Sequence, residues 1–489
     1  MALFYAKRIA DPVHGTIGLT KLEVELINTK SFQRLRNVNQ LGLAHFVYPG
    51  ANYSRFSHSL GTCHIVGLIF DSLLNKAEEN KKEKIQNNIQ LYRIAALLHD
   101  IGHYPFSHPM ERAIKKYYDR KPDSIIEPKE SNGNDRQNKP TSKSDTHDTY
   151  FKHEDVAKEI LEKDEEIKGI FEKEEISGEE VYKIISWKSS IPYANLVSSD
   201  MDADRMDYML RTSYHTGLPY GSVDIKYIIS QLCIDDKDQL YVTSKAMRAV
   251  DHFLLCRYFD YQQVYYHKTV TGFELTLQDV IKELLKKKRL DCSASSISER
   301  IKSGEWHDFD DSFILQMIRD CCKSRSKKNY KLKAESILMR KPPKLVFQVE
   351  FIRDRDEGKS DFSFKIKTLK GMIKQWSEKF EIDEELWLSW DNAMFLTEVG
   401  PHVPVSLLEK KQLQEKEALE QLVHVSDKTG KNKKPIVEME NSLMSILSKY
   451  AIYSFRIYVL LEGSKSEQDT KQKEIEQEIK QEYPELQLK

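Results

Sequence analysis

The sequence predicts a mainly helical protein with a smaller C-terminal lobe of mixed helix and strand. Apolar residues recur at helical spacing in the first half of the chain, as in Leu19, Leu22 and Leu26. Two later segments, 344–351 and 453–459, instead alternate apolar and polar side chains as half-buried strands do. No internal repeat is present. These observations predict helices first and a mixed α+β part afterwards.

The chain is divided by its composition. Its 489 residues allow two or three domains, or one large core with a smaller lobe. We expect a first domain over 1–273, the mixed lobe over 274–462 and a charged tail over 463–489. The polar stretch at about 119–149 cannot bury enough apolar surface to order itself, so a flexible insertion is expected there. A solvated connection is expected over 76–84, which is almost wholly charged, and a loop is expected over 421–434, which is polar.

Charge and cysteine content limit the compartment and the partners. Lys+Arg 75 against Asp+Glu 76 gives a net charge of -1, so no whole-chain basic excess indicates a nucleic-acid partner. The six cysteines form no CxxC pair, which is typical of a reducing cytosol. The first residues lack the apolar run of a signal peptide, and no stretch is long enough to span a membrane. We therefore expect a cytoplasmic protein without a membrane partner.

The densest group of metal-ligand side chains lies in the segment Leu97-Leu98-His99-Asp100-Ile101-Gly102-His103-Tyr104-Pro105-Phe106-Ser107-His108. An apolar helical run precedes it, and Gly102 and Pro105 would turn the backbone, so a helix is expected to end here in a tight loop. Imidazole beside carboxylate is the ligand mix of zinc and of first-row transition metals. A structural role is the alternative for any one of these residues. The run of a His-Asp pair and two further histidines favours a metal centre.

Two other helices supply partners for this segment. His58 follows the predicted start of a helix near Arg55, where a packed or capping histidine is the alternative interpretation. Asp200 and Asp202 suit a helix start because of the helix dipole, whereas Asp204 lies further in and needs a cation or a donor. His58, His99, Asp100 and Asp204 would leave two positions open on octahedral iron, manganese or cobalt. Zinc is a further candidate for this site. Magnesium is expected to accompany a phosphate ligand instead.

The same segments carry groups suited to proton transfer and to phosphate. The candidates for moving protons near neutral pH are His103, His108, Glu111 and His153. The cations that a polyphosphate needs are Arg55, Arg205 and Arg257. Arg257, Tyr261 and Tyr265 share one helical stripe; such aromatic stripes usually belong to the core, and Arg257 on it would need an anion.

These motifs resemble the HD superfamily of metal-dependent phosphohydrolases and, within it, the dNTP triphosphohydrolases that combine a SAM domain with an HD domain. The segments that carry the resemblance are Asp11–Gly15, Phe32–Arg36, Gln40–Gly42, Val47–Ala51, Arg55–Gly61, Leu97–His108, Lys152–Glu154, Asp202–Tyr208 and Tyr265–Lys268. The match covers about residues 7 to 270, so no SAM domain is expected. It implies an HD-domain helical bundle and attack of water at the α-phosphorus, releasing deoxynucleoside and intact triphosphate.

The resemblance implies a role for each matching residue. The implied metal ligands are His58, His99, Asp100 and Asp204. The implied catalytic group is His108, Glu111 and His153, with His108 protonating the leaving 5′ oxygen, and His103 contacts phosphate. The implied substrate contacts are Arg55, Arg205, Tyr208 and Arg257 for the triphosphate, Gln40 and Leu41 for the sugar, and Tyr265 against a 2′-hydroxyl. Two positions depart from the pattern: Tyr261 replaces a histidine, and Thr212 replaces an aspartate near the sugar 3′-hydroxyl.

The resemblance also implies regulation by a nucleotide. Gln33 and Arg36 match an allosteric guanine pocket, but Asn28 replaces the aspartate that reads guanine. A neutral amide cannot accept from two guanine donors as a carboxylate does. The residues that match a neighbouring effector-nucleotide site are Val47, Tyr48, Lys245, His267 and Lys268. We therefore expect an effector nucleotide and a homo-oligomer, either dimer or tetramer.

Three functions follow from these observations. The first is hydrolysis of dNTPs. The second is an HD phosphodiesterase or nuclease acting on cyclic nucleotides or single-stranded nucleic acid, since the arginines suit any phosphate ligand. The third is a non-catalytic, nucleotide-sensing oligomer, against which the full ligand set argues. A nucleotide-depleting role in antiphage defence has no direct sign in the sequence.

Overall fold

The computed structural model describes residues 4–119, 149–186, 191–323, 327–395, 422–427 and 430–482 of the chain. Helices dominate and small sheets accompany them, which confirms the predicted fold class. Most of the predicted insertion at 119–149 and the last residues of the predicted tail lie outside the described residues. The domain boundary expected at residue 273 falls inside a helix and stays a prediction.

The helices are α1 Lys21–Ile27, α2 Lys30–Gln33, α3 Arg55–Lys76, α4 Glu79–Leu98, α5 His108–Tyr118, α6 His153–Lys163, α7 Glu165–Lys173, α8 Gly178–Ile185, α9 Ala203–Thr216, α10 Ile225–Gln231, α11 Met247–Asp260, α12 Lys268–Lys286, α13 Ala294–Lys302, α14 Asp311–Lys323, α15 Lys328–Leu338, α16 Arg355–Phe380, α17 Met444–Leu447 and α18 Lys465–Glu482. The strands are β1 Lys7–Asp11, β2 Gly15–Leu19, β3 Leu232–Ile234, β4 Leu240–Thr243, β5 Lys344–Asp354, β6 Trp387–Phe395, β7 His424–Ser426, β8 Lys434–Pro435 and β9 Tyr450–Val459.

Helix α3 lies at the centre of the first core, packed between α4 and α9. It begins at Arg55, as predicted, and its apolar residues Phe56, Leu60 and Phe70 are buried. Because it is covered on several sides, polar residues on it are buried as well, among them His58. This packing places His58 of α3 against the C-terminal end of α4 and the N-terminal end of α9.

Helix α4 begins earlier than the composition indicated. The connection predicted over 76–84 is wrong, because α4 already starts at Glu79. Glutamate and lysine have high helix propensity, so a charged run forms helix without burying any surface. Lys82 lies 2.8 Å from Glu79 on the exposed face. From Ile85 onward the helix turns apolar residues inward and ends with His99 as its C-terminal cap.

A tight turn separates α4 from α5. Phe106 and Ser107 both have positive φ angles, 54° and 59°, in the left-handed region that side chains rarely adopt. Helix α5 then starts at His108, with Pro109 in the first turn where its missing N–H costs nothing. The helix packs along α12. Because of this turn, the side chains of His99, Asp100, His103 and His108 lie close together.

The second core belongs to the mixed lobe. Strands β5, β9 and β6 form an antiparallel sheet in that order, which confirms the strands predicted from alternation at 344–351 and 453–459. Its apolar face is covered by α16 and by α18, through Trp376 and Ile479. The described part of the predicted charged tail is thus a helix with a buried apolar edge.

Two further predictions meet different outcomes. Two apolar runs on either side of Asp235–Asp238 predict a β-hairpin, and β3 and β4 form it. The polar stretch expected as a loop over 421–434 contains β7 and β8, which extend the same sheet. Strand β7 pairs with β4, and the buried side chains of Val423 and Val425 anchor this stretch to the first core. Within the described residues, every helix is too short or too polar to cross a membrane.

Candidate active site

His58, His99 and Asp204 converge from α3, the end of α4 and the first turn of α9. Oδ1 of Asp204 lies 2.9 Å from Nε2 of His58 and 3.8 Å from Nε2 of His99. Ligands about 2.1 Å from one ion stand about 3.0–3.4 Å apart at octahedral or tetrahedral angles. The two distances lie on either side of this range, and the three residues form a group that could hold a metal ion.

The hydrogen bonds of the two imidazoles support this assignment. Nδ1 of His58 lies 2.7 Å from a carboxylate oxygen of Asp207, and Nδ1 of His99 lies 2.7 Å from the Ala96 carbonyl oxygen. Because both partners only accept, each Nδ1 carries the proton and each Nε2 keeps its lone pair. Both Nε2 atoms are buried, and neither makes a well-directed hydrogen bond with a described residue. The donor set fits a divalent transition metal.

Asp100 stands at the edge of this group. Its Oδ1 lies 3.4 Å from Nε2 of His99 and 3.2 Å from Nε2 of His103, and its Oδ2 lies 2.5 Å from Nη1 of Arg55. Burial acts to raise the pKa of Asp100, but the Arg55 guanidinium and the histidines hold it well below its usual value. The carboxylate is thus ionised and available as a fourth ligand.

A buried network behind His58 was not predicted from the sequence. Asp207 accepts hydrogen bonds from His58, from Arg211 at 2.8 Å and from His14, whose Nε2 lies 2.6 Å away. Arg211 also donates to Asp11 at 2.8 Å. Although burial acts to raise the pKa of Asp207, Arg211 and the histidines hold it well below its usual value. This network fixes the ring orientation and tautomer of His58.

The predicted proton-transfer residues form a second group beside the metal ligands. Nδ1 of His153 lies 3.2 Å from both carboxylate oxygens of Glu111, and Nδ1 of His108 lies 3.5 Å from Oε2. The ring of His103 stacks on that of His153, with centroids 4.1 Å apart. Burial lowers the pKa of His108 and Glu111 opposes that effect, whereas for His153 the Glu111 carboxylate outweighs burial and raises the pKa.

Gly102 allows α6 to bring His153 into this group. A Cβ at position 102 would lie 2.2 Å from the His153 carbonyl oxygen and 2.4 Å from the Ala157 backbone nitrogen. We expect Gly102→Ala to lower the free energy of unfolding by about 1–3 kcal/mol, because α6 must move away. Urea denaturation measures this change.

Gly169→Ala is the matched control for Gly102→Ala. Gly169 lies on the exposed face of α7, where an added Cβ meets nothing within 4 Å. Alanine there is expected to stabilise the protein by about 0.5–1 kcal/mol because it restricts the unfolded chain. An unchanged unfolding midpoint for Gly102→Ala would contradict the close approach of α6.

A cavity of about 240 Å³ opens beside the candidate metal ligands. The predicted site residues in its wall are Gln40, Leu41, Arg55, His99, Asp100, His103, His108, His153, Asp204, Arg205, Tyr208, Tyr261 and Tyr265. Arg55 also donates to Ser107 at 2.9 Å, and Arg205 pairs with the fully buried Asp202. The structure thus brings metal ligands, histidines, cations and tyrosines around one space.

One predicted contact, Arg257, and one position that departs from the family pattern, Thr212, lie elsewhere. Arg257 is absent from the described cavity wall, because Nη1 donates to Asp200 at 2.9 Å behind it. The buried Asp200 carboxylate is therefore the anion that Arg257 was expected to need. Thr212 is also fully buried, and its hydroxyl lies 2.8 Å from that of Tyr53. Neither side chain reaches the cavity in this conformation.

The residues matched to effector sites lie on two surfaces outside the cavity wall. Arg36 donates to Gln33 at 2.7 Å and covers the ring of Phe56, while Asn28 is exposed at the end of α1. Tyr48 and His267 contact each other, with ring centroids 5.8 Å apart, and Val47 packs in the same cluster. Lys245 and Lys268 are exposed. Their roles stay predictions.

Several further wall residues were not predicted as site residues, and those with polar side chains suited to contact with a ligand include Arg112, Tyr266 and Glu274. Arg112 lies one turn beyond His108 on α5, so the helical spacing from the central motif could have indicated it. Tyr266 follows the predicted Tyr265. Glu274 lies beyond the region of resemblance, and no local signal pointed to it.

The comparisons with known proteins agree with this geometry. Residues 55–212 match the HD domain. A phosphohydrolase of Bacteroides thetaiotaomicron superposes over 92% of this chain and 99% of its own, with a TM-score of 0.64 at 22% sequence identity. Residues 55–212 therefore form an HD domain, and the chain shares its fold with that solved structure, which confirms the resemblance to HD-domain proteins drawn from the motifs.

Among named relatives, human deoxynucleoside triphosphate triphosphohydrolase SAMHD1 is 44% identical over 102 residues, which are 21% of this chain and 16% of the human protein. The SAMHD1 homolog of Dictyostelium discoideum is 27% identical over 285 residues, 57% of this chain and 49% of its own length. An uncharacterized protein of Methanocaldococcus jannaschii is 30% identical over 319 residues, 64% of this chain and 57% of its own. The chain thus spans about half the length of the latter two.

Proposed function

We propose that this protein hydrolyses deoxynucleoside triphosphates, in the cytoplasm, to deoxynucleoside and inorganic triphosphate. The observation that carries the proposal is the geometry of the cavity, in which a group of candidate metal ligands adjoins three arginines and a group of tyrosines. Similarity to SAMHD1 proteins, whose name states this activity, supports the choice of substrate. A divalent ion held by His58, His99, Asp100 and Asp204 would activate water and polarise a phosphoryl oxygen.

Protein side chains supply the remaining steps. Arg55 contacts Asp100, Arg205 follows Asp204 in the chain, and both arginines line the cavity, so they would hold the phosphates beside these carboxylates. His108 would protonate the leaving 5′ oxygen. Burial lowers the pKa of His108 in the free protein, but the negative charge of a bound triphosphate favours its protonated form. Glu111 and His153 hold the imidazole in place.

The sugar would lie against the uncharged part of the wall. Gln40 and Leu41 line the cavity next to Tyr265, whose ring leaves little space for a 2′-hydroxyl in the proposed arrangement. The rings of Tyr261 and Tyr265 are 5.0 Å apart and form a continuous aromatic surface. Regulation by an effector nucleotide bound at Val47, Tyr48 and His267, within a homo-oligomer, completes the proposal.

A nucleotide panel tests the reaction. Purified protein with Mn²⁺ or Mg²⁺ is incubated with each dNTP alone and in pairs, and the products are separated by chromatography. We expect deoxynucleoside and tripolyphosphate. His108→Gln should lower kcat by about a hundredfold or more, the usual contribution of a general acid.

His307→Gln is the control for this panel, because it makes the same change at an exposed histidine of the surface. It should leave kcat unchanged. Release of deoxynucleoside monophosphate and pyrophosphate, degradation of a labelled single-stranded oligonucleotide that His99→Ala abolishes, or no turnover with any nucleotide pair would each contradict the proposed reaction.

A further inference from the structure

One charged pair in the cavity wall has no part in the mechanism above. Nη1 of Arg112, on α5, lies 3.4 Å from Oε2 of Glu274, on α12. Both residues line the cavity, and their side chains are 31% and 14% exposed. The pair therefore presents a guanidinium and a carboxylate side by side to any ligand that occupies this space.

The position of Arg112 places the pair on the nucleoside side of the scissile bond. Arg112 follows His108 by four residues and lies above it on the same face of α5, about 6 Å further along the helix axis. Among the described residues, its ion-pair partner is Glu274 and not a member of the metal-ligand set. The phosphates would extend from His108 toward Arg55 and Arg205, so Arg112 faces the opposite end of the substrate.

The charge of the pair also disfavours a phosphate ligand. Glu274 itself lines the cavity, so an anion bound by Arg112 would meet a carboxyl group there. Arg205 differs, because its partner Asp202 is fully buried and lies outside the wall, leaving the cation to dominate. Burial raises the pKa of Glu274 to about 7, while Arg112 acts to lower it. A neutral group with adjacent donors and acceptors suits the pair better.

The neighbouring tyrosines supply aromatic ring faces. The rings of Tyr261 and Tyr266 are 5.7 Å apart and both line the cavity. Tyr266 is supported from behind by Trp390, at 5.4 Å. Aromatic side chains stack on the faces of nucleobases whatever their identity. A planar base resting on these rings would turn its edge toward Arg112 and Glu274.

We propose that Arg112 and Glu274 read the nucleobase edge of the substrate and that a guanine base fits them best. This inference rests on the proposed function. The Glu274 carboxylate can accept from the N1–H and N2–H groups of guanine while the Arg112 guanidinium donates to O6. Thymine offers a single N–H between two carbonyl oxygens, so it leaves one carboxylate oxygen without a donor.

Selectivity between bases tests the inference. kcat/KM is measured for dGTP, dATP, dCTP and dTTP with the wild-type protein, Glu274→Gln and Arg112→Met. We expect dGTP to be preferred by the wild type, and each variant to lower the ratio of dGTP to dTTP by about tenfold or more, the usual effect of one lost bidentate base contact. The ratio within one variant is independent of the fraction of protein that is folded.

Lys116→Met is the matched control. Nζ of Lys116 donates to Gln278 at 2.9 Å, one turn further along the same two helices, and neither residue lines the cavity. This variant should keep the wild-type ratio. An equal fall in kcat/KM for all four dNTPs in Glu274→Gln and Arg112→Met, or no change, would overturn the inference. A wild-type protein that cleaves no dNTP would instead overturn the proposed function, and the inference with it.

Discussion

Asp204→Asn is expected to lower kcat/KM for hydrolysis by about a thousandfold or more, since a lost metal centre removes several kcal/mol of transition-state stabilisation. Oδ1 of Asp204 is the atom that lies between Nε2 of His58 and Nε2 of His99. The asparagine amide is nearly isosteric but carries no charge, so the site loses an anionic ligand. Metal analysis of the purified variant should show a matching loss of bound ion.

The control for Asp204→Asn is Asp236→Asn, which makes the same change at a side chain that is 99% exposed in a surface ion pair. This variant should retain metal and activity. An Asp204→Asn protein with a full complement of metal and the wild-type rate would contradict the assignment of Asp204 as a ligand. Circular dichroism of both variants separates loss of metal from loss of fold.

Arg93→Met is expected to lower the free energy of unfolding by about 3–5 kcal/mol, because it leaves a buried carboxylate without its cation. Arg93 donates to both carboxylate oxygens of Glu23, at 2.7 and 2.8 Å, and to the Gly18 carbonyl oxygen at 2.9 Å. The two side chains are 1% and 0% exposed. The pair joins α4 to α1 and to the strand before it, and urea denaturation measures its contribution.

A second substitution separates charge from packing at this pair. In Arg93→Met with Glu23→Gln, the remaining amide is neutral and its oxygen can still accept from the Thr20 backbone N–H, as Glu23 does at 2.9 Å. The double variant should therefore be more stable than Arg93→Met alone. Lys82→Met, which breaks the exposed pair with Glu79, should change stability by less than about 0.5 kcal/mol. Equal losses for Arg93→Met and Lys82→Met would contradict a buried ionic contact.

The metal-ligand group could be predicted because its members lie in dense local motifs. His99 and Asp100 are adjacent, Gly102 and Pro105 indicate a turn, and the apolar period before them predicts the helix that carries them. Asp204 was distinguished from Asp200 and Asp202 because it follows the expected helix start, and in the structure Asp202 is indeed the N-cap of α9 and Asp204 lies in its first turn. The confirmed helical fold follows from the same spacing of apolar residues, because these residues form the buried face of each helix.

The rest of the site depends on contacts between distant parts of the chain. Glu274 lies 162 positions from its partner Arg112 and outside every motif, so no local pattern could indicate that the two side chains meet. The sequence also predicts a continuous helix over 249–267, whereas residues 261–265 form a turn of π-helix. That extra residue per turn changes which side chains share a face, so the stripe of Arg257, Tyr261 and Tyr265 could not be assigned to one wall from spacing alone.

The opening hairpin has a consequence for anyone who redesigns this protein. Asp11 and His14 sit in and beside the first turn, yet they hold Arg211 and Asp207 and, through them, the imidazole of His58. An affinity tag fused close to residue 11, or a shortened recombinant version that omits the first fifteen residues, would loosen a metal ligand encoded far downstream. Engineering is better confined to the helices of the surface.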